Sequence, residues 1–451
     1  MKKNSIYTIL LVVFAATIVF IVLRYRKQQQ QKEAAQYSLQ ERRGALANTA
    51  EWASTKSNAR SLLAALEKNP SDSRSSLALA ALFIQEARIT GNFVYYDMAA
   101  MKWVNKVLAT DSLNFNALIL KSLLYLSQHH FADGLATAQR AQKINPYNAF
   151  VYGLIVDGYV EMGDYAAAVE NADKMVSVRP DIRSYARVSY LREIHGDYPG
   201  AIEAMKMAVS AGAPGDEATE WARIQLARLY ENTGQPKWAA MHYTIALNER
   251  PDYPYALAGM ARLAVAEGDY AKAIAFYLHA DSLMNDYSFK EELVDVYKLA
   301  GQPAKARALS DQIIGAMTKD AQAGQADESI GHYADRELAL AYLKENNYQK
   351  AIDHALLEYN RRPGNIDANE TVAWAYYSKG DYASALPYMK TALKTGSKNP
   401  VLLCHAGLLY AKSGDTATAA ALLQEALKLN PLINEPLKRE GTLVLKQIKK
   451  A

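Results

Sequence analysis

Cysteine is almost absent from this chain: Cys404 is the only one among 451 residues. A single thiol cannot close an intrachain disulfide, and it excludes any module built on paired Cys-x-x-Cys motifs. Also missing are a glycine-rich phosphate loop ending in Lys-Ser or Lys-Thr, a nucleophile elbow and a paired-histidine zinc motif. The 8 histidines are scattered. His129 and His130 are adjacent, so on a helix their side chains point about 100° apart. Without a second ligand pair at suitable spacing they read as structural residues, not metal ligands. Charge of one sign is lacking too: 51 basic and 47 acidic side chains leave a net +4, too little for general nucleic-acid affinity. No cofactor and no catalytic site is expected.

One long apolar run is present, at the start. Ile6 to Leu23 carry no charged side chain, and as a helix they would reach about 27 Å at roughly 1.5 Å per residue, enough to cross a bilayer core. The rival reading is a cleaved secretory signal, given Lys2 and Lys3, but the run ends in Leu23-Arg24-Tyr25-Arg26 without a small-residue cleavage site. A retained single-pass anchor is therefore expected. Lys2, Lys3 and the α-amino group precede it, and Arg24, Arg26, Lys27 and Lys32 follow. That balance leans narrowly towards a cytoplasmic body and leaves a periplasmic one open.

The rest of the chain is self-similar. Gly-Asp-Tyr occurs at Gly163, Gly196, Gly268 and Gly380, and the same landmark position is traced through Gly91, His129, Gly234, Gly301, Asn346 and Gly414. Gly163 and Gly196 stand 33 residues apart and Gly380 and Gly414 stand 34 apart, the length of a helical hairpin. Four residues before the landmark Tyr recurs, at Tyr125, Tyr159, Tyr230, Tyr297, Tyr342, Tyr376 and Tyr410. Five after it Ala recurs, at Ala168, Ala201, Ala239, Ala273, Ala306, Ala351, Ala385 and Ala419. A small residue lets two helices approach, a ring fills the wedge between hairpins, and Gly or Asn permits the left-handed turn that ends the first helix. Proline closes many units, at Pro146, Pro180, Pro251, Pro363 and Pro431.

This pattern resembles the tetratricopeptide repeat family over residues 71–431, in about ten copies. Single copies depart from it: the Gly91 unit has an enlarged hairpin, and Pro236 and Pro303 stand where the aromatic residue follows the turn. The resemblance implies an all-α fold, a right-handed superhelical solenoid whose first helices line a concave groove. In layout the chain is similar to membrane-anchored bacterial repeat proteins. Those that end in a rubredoxin-like metal module need paired cysteines, which are missing here.

The expected organisation is a tail (1–4), a transmembrane helix (5–24), a polar stalk (25–50), a capping helix (51–70) marked by Trp52, Leu62, Leu63 and Leu66, and a first block of repeats (71–317). An insertion (318–330) follows, then a second block (331–431) and a C-terminal capping helix (432–451). The stalk reads as a solvated helix or a flexible tether. The insertion, poor in apolar residues, reads as a loop rather than a packed element, with a hinge or a lengthened helix pair as alternatives.

With no chemistry in sight, recognition remains. In the family's register the groove-facing side chains are Phe150, Asp157, Arg183 and Tyr190 in the first part of the array, and Trp221, Arg228, Tyr255 and Arg262 in the middle. Tyr333, Arg336, Trp374 and Tyr377 follow near the end. Arg offers a carboxylate two hydrogen bonds, and Tyr or Trp offers contact area at low entropy cost, which suits an extended acidic or aromatic peptide. Equally, these residues can satisfy one another, with Asp157 or Glu193 neutralising an arginine. The expected partners are proteins or peptides, with the membrane met through Ile6–Leu23 and no nucleic acid. The expected role is a non-catalytic scaffold in assembly of a membrane or envelope complex. The alternatives are a non-catalytic subunit or an enzyme acting on cell-envelope material, and a self-associating structural spacer.

Overall fold

The computed structural model describes residue 11, residues 13–21, residue 24 and residues 37–325 and 331–450. Residues 6–10, 12, 22 and 23 of the expected Ile6–Leu23 span lie outside them. Residues 13–21 are helical, with Phe14 and Phe20 exposed, and among the described residues no helix is long and apolar enough to cross a membrane.

From residue 50 onward the described chain is helical, without a strand. A leading helix, α1 (Ala50–Lys68), is followed by ten helical hairpins. They are α2 and α3 (Ser73–Thr90, Phe93–Thr110), α4 and α5 (Phe115–Ser127, Phe131–Ile144), α6 and α7 (Ala149–Met162, Tyr165–Val178), α8 and α9 (Ile182–Ile194, Tyr198–Ser210), and α10 and α11 (Glu217–Asn232, Pro236–Glu249). The second half comprises α12 and α13 (Pro254–Ala266, Tyr270–Leu283), α14 and α15 (Tyr287–Leu299, Pro303–Gln325), α16 and α17 (Asp335–Lys344, Tyr348–Arg361), α18 and α19 (Ile366–Lys379, Tyr382–Ala392), and α20 and α21 (Pro400–Lys412, Thr416–Leu429). A last helix, α22 (Glu435–Ile448), covers the end, burying Leu437.

The repeat motif has a local mechanism. All ten landmark residues take positive φ, including His129 at 63° and Asn346 at 55°. At every landmark except Gly91 the next residue's N–H turns back to the carbonyl five positions earlier, as in Asp164 to Tyr159 at 2.9 Å and Asp381 to Tyr376 at 2.9 Å, which satisfies orphan carbonyls of the first helix. The aspartate then caps the second helix: Asp164, Asp197, Asp269 and Asp381 each accept a hydrogen bond from the backbone N–H three residues on. The recurrent alanines are all buried to 1% exposure or less. A larger side chain there would push the paired helices apart.

The solenoid winds tightly enough for its turns to touch. The turn inside each of the first five hairpins meets a junction between hairpins lying on the next turn of the solenoid. Asn285 N–H donates to the Thr90 carbonyl at 2.9 Å, and Tyr333 N–H to the Gln128 carbonyl at 3.1 Å. Further along, Asn365 and Ile366 hydrogen-bond Val160 and Tyr165. The landmark glycine thus serves two purposes. A Cβ on Gly163 would fall 2.1 Å from the Gly364 carbonyl carbon, whereas one on Gly380 would meet nothing within 4 Å.

Two expectations need correcting. The end of the expected stalk is not an α-helix: residues 37–43 are non-helical, mostly exposed apart from Arg42, and lead into a 3-10 turn at Gly44–Asn48. The cause is Arg42, which is 4% exposed and pairs with Glu86 and Glu51 at 2.6 and 2.9 Å, so a fixed partner outweighs helix propensity. The 318–330 segment is not a loop in its first part, because α15 runs on to Gln325. Ala316, Ala321 and Ala323 favour helix there despite the low apolar content. Residues 326–330 lie outside the described residues.

Candidate peptide-binding face

The first helices of the opening hairpins bring their N-terminal ends together. Asp72, Asn114, Asn148 and Asp181 cap α2, α4, α6 and α8, each accepting backbone N–H bonds, so the loops before these helices are held in register. Between them lies a cavity of about 830 Å³ lined by Arg74, Asn114, Tyr147, Phe150, Arg179 and Arg183, among others, with no carboxylate in its wall. Tyr147 is 84% exposed.

Arg183 lies over the Phe150 ring, 4.7 Å from its centroid. Desolvation holds its guanidinium below the ordinary value; Asp181 opposes this, and Arg187, Arg179 and Arg88 add to it. Arg179 is paired with Asp181 at 3.0 Å. Helix N-termini add partial positive charge to the three guanidinium groups. Such a surface attracts carboxylates and stacks aromatic rings.

Deeper in the solenoid the expected groove residues divide. Asp157 is neutralised by Arg187, through bonds of 2.8 and 2.5 Å. Arg262 is held by Glu231 at 2.9 Å, Glu292 at 3.3 Å and the Tyr243 hydroxyl at 3.0 Å. Trp374 is sandwiched between Tyr377 and His405, at centroid distances of 4.7 and 3.6 Å, and the Tyr377 hydroxyl donates to Glu440 at 2.8 Å. Tyr255 packs edge-on against Tyr253 and Phe289, both at 5.6 Å. Trp221 is half-buried against the α10–α12 core. These residues largely satisfy one another and the fold.

Others are less tightly fixed. Arg228 is exposed, and Arg336 donates a 3.3 Å bond to the Thr371 hydroxyl, while against desolvation Asp367, Glu337, Glu370 and Glu161 raise its guanidinium above the ordinary value. Tyr190 is 40% exposed, yet burial, with Asp367 and Glu161 nearby, raises its hydroxyl well above the ordinary value. Solvent access combined with surrounding protein describes a side chain facing an enclosed interior. That interior is lined from both turns, since Asp367 belongs to α18 and Tyr190 to α8. Burial likewise pushes up the Glu193 carboxyl, against Asn232 and Arg228. Glu161 and Arg187 were not among the expected site residues. Each stands four positions from one that was, Asp157 and Arg183, and that helical spacing is the signal that would have found them.

Outside this face, His129, His332 and Glu337 bring ligand-type atoms within 4.8 Å of one another. The partners that the sequence around His129 lacks arrive from the next turn.

Stacked antiparallel hairpins with a lined interior define the class: a helical-repeat solenoid. The model of the tetratricopeptide repeat family matches residues 224–284, 336–400 and 371–432. No curated protein matches the chain. Among solved structures it is similar to a tetratricopeptide repeat protein from Parabacteroides merdae, at 18% identity and TM-score 0.35, covering 59% of this chain and 98% of that one. It is also similar to yeast Tom70, at 11% identity and TM-score 0.35, covering 84% and 95%. A third likeness is the Cut9-Hcn1 hetero-tetramer of the APC/C, at 15% identity and TM-score 0.37, where 83% of this chain spans 62% of that chain's length.

Proposed function

We propose that this protein is a scaffold that holds an acidic, extended segment of a partner protein at the mouth and interior of its solenoid, tethered to a membrane through Ile6–Leu23. The observation that carries the reading is the acid-free wall of the 830 Å³ cavity, where Arg74 and Arg183 are, among the described residues, in no ion pair and Phe150 offers a ring. A partner carboxylate there would gain charge-assisted hydrogen bonds that the free protein does not make. The tether keeps any bound partner concentrated near the bilayer, in keeping with assembly of a membrane or envelope complex.

The test is fluorescence anisotropy with a labelled peptide alternating Glu and Phe, on the full chain in detergent. Arg74→Glu with Arg183→Glu should weaken binding by at least about tenfold, and added salt should weaken binding to the wild type. Equal affinity for wild type and double variant would remove this face. Release of the full chain from membranes by alkaline carbonate would remove the tether.

A further inference from the structure

His129 is the residue that the repeat does not explain. It sits at the landmark turn between α4 and α5 with φ at 63°, where the other repeats place Gly or Asn. A histidine in that left-handed conformation is strained. Its ring meets the junction entering α16, with the His332 centroid at 4.4 Å and Glu337 Oε1 3.9 Å from Nδ1. We propose that His129, His332 and Glu337 form a site for one divalent transition-metal ion of the zinc class, which joins two adjacent turns of the solenoid.

Two observations carry this. First, the His129 imidazole is oriented as metal ligands usually are. His129 Nδ1 lies 2.9 Å from the Tyr333 carbonyl; a carbonyl only accepts, so Nδ1 carries the proton and Nε2 keeps its lone pair. A backbone carbonyl holding the far N–H of a ligating histidine is the common outer-shell arrangement.

Second, the carboxylate has spare capacity: Glu337 Oε2 is buried without a hydrogen-bond partner. Such an atom is costly unless something occupies its lone pairs.

Two imidazoles and a carboxylate favour zinc-like ions over calcium or magnesium, which take oxygen ligands. Bonds of about 2.0–2.1 Å require ligand atoms roughly 3.4 Å apart. The present separations are all within 4.8 Å, so the ligand atoms close by about an ångström when the ion binds. A fourth position stays open to water. Because the ligands come from the second and eighth hairpins, the ion would hold in register two stretches of chain about two hundred residues apart.

The experiment is isothermal titration of the chelator-stripped, untagged full chain in detergent with zinc chloride, beside the thermal unfolding midpoint with and without zinc. One equivalent should bind per chain and raise the midpoint. His332→Ala and Glu337→Gln should each lower the affinity by at least about tenfold, whereas His279→Ala, on α13, should not. Absence of saturable binding, or binding unchanged in both ligand variants, overturns the proposal. If a variant fails to fold, cobalt(II) titration of the wild type decides. Strong visible absorption of a four- or five-coordinate site supports the proposal, and the weak spectrum of the hexaaqua ion overturns it.

Discussion

Glu161 and Arg362, 201 residues apart in the chain, are ion-paired across adjacent turns of the solenoid. The Arg362 side chain is 6% exposed, also pairs with Glu358, and lies 4.7 Å over the Phe131 ring. One guanidinium therefore joins α5, α6 and α17. Arg362→Ala removes a buried charge from two carboxylates and should cost about 3 kcal/mol, the usual loss when one partner of a buried pair is deleted. Urea unfolding followed by circular dichroism measures it, and a loss within about 0.5 kcal/mol, the usual range for surface changes, would mean that the turns are not coupled through this pair.

The landmark glycines separate backbone strain from turn packing. Gly380→Ala faces open space, so only its left-handed conformation, φ 89°, is penalised, at roughly 1–2 kcal/mol. Gly163→Ala has the same conformational problem at φ 83° and also drives a methyl into Gly364. It should lose clearly more stability and increase the radius of gyration in small-angle scattering. Equal losses, with no expansion, would argue that the turns do not touch in solution.

Much of this fold was legible locally. The ten landmark turns, the aspartate caps after Gly163, Gly196, Gly268 and Gly380, and the buried alanines each depend on residues a few positions apart, so one period of sequence contains their cause. What could not be read is which turn meets which junction. That depends on small rotations accumulating over many hairpins, and nothing near Glu161 announces Arg362. The same limit hid His332 from His129. It also blurred the groove, since the register that marked Arg262 and Trp374 does not reveal that Glu231, Glu292 and His405 already engage them.

Asp97 makes stability depend on pH. It is 2% exposed in α3, accepts a 2.6 Å bond from the Ser127 hydroxyl, and burial pushes it up to about 7. Between the ordinary carboxyl value, about 4, and about 7 the folded chain keeps a proton that the unfolded chain has released, so stability falls as pH rises through that window. Above it Asp97 is ionised in both states and the penalty is complete. Asp97→Asn keeps the bond from Ser127 without charge. It should raise the thermal midpoint at pH 8, by an effect on the order of a few kcal/mol, and change little at pH 4. Glu291, also raised by burial to about 7, acts in the same direction, so the variant should retain part of the slope. An equal shift at both pH values would contradict the assignment.

Tyr190 and Arg228 face the interior without supporting the core. Tyr190→Ala with Arg228→Ala should therefore weaken partner binding by about tenfold or more while moving the unfolding midpoint little. Binding of every partner at wild-type strength by the folded double variant would remove the interior from the recognition surface.

The central claim is that partners engage the mouth formed by α2, α4, α6 and α8. Site-specific photocrosslinking in intact membranes tests it most directly, with the reactive residue at Tyr147, 84% exposed in the cavity wall, or at Trp238, 52% exposed on α11. The account predicts partner adducts from Tyr147 that are lost when Arg74 and Arg183 are both changed to Glu, and none from Trp238. Adducts from Trp238 alone, or Tyr147 adducts that survive the charge reversal, would contradict it.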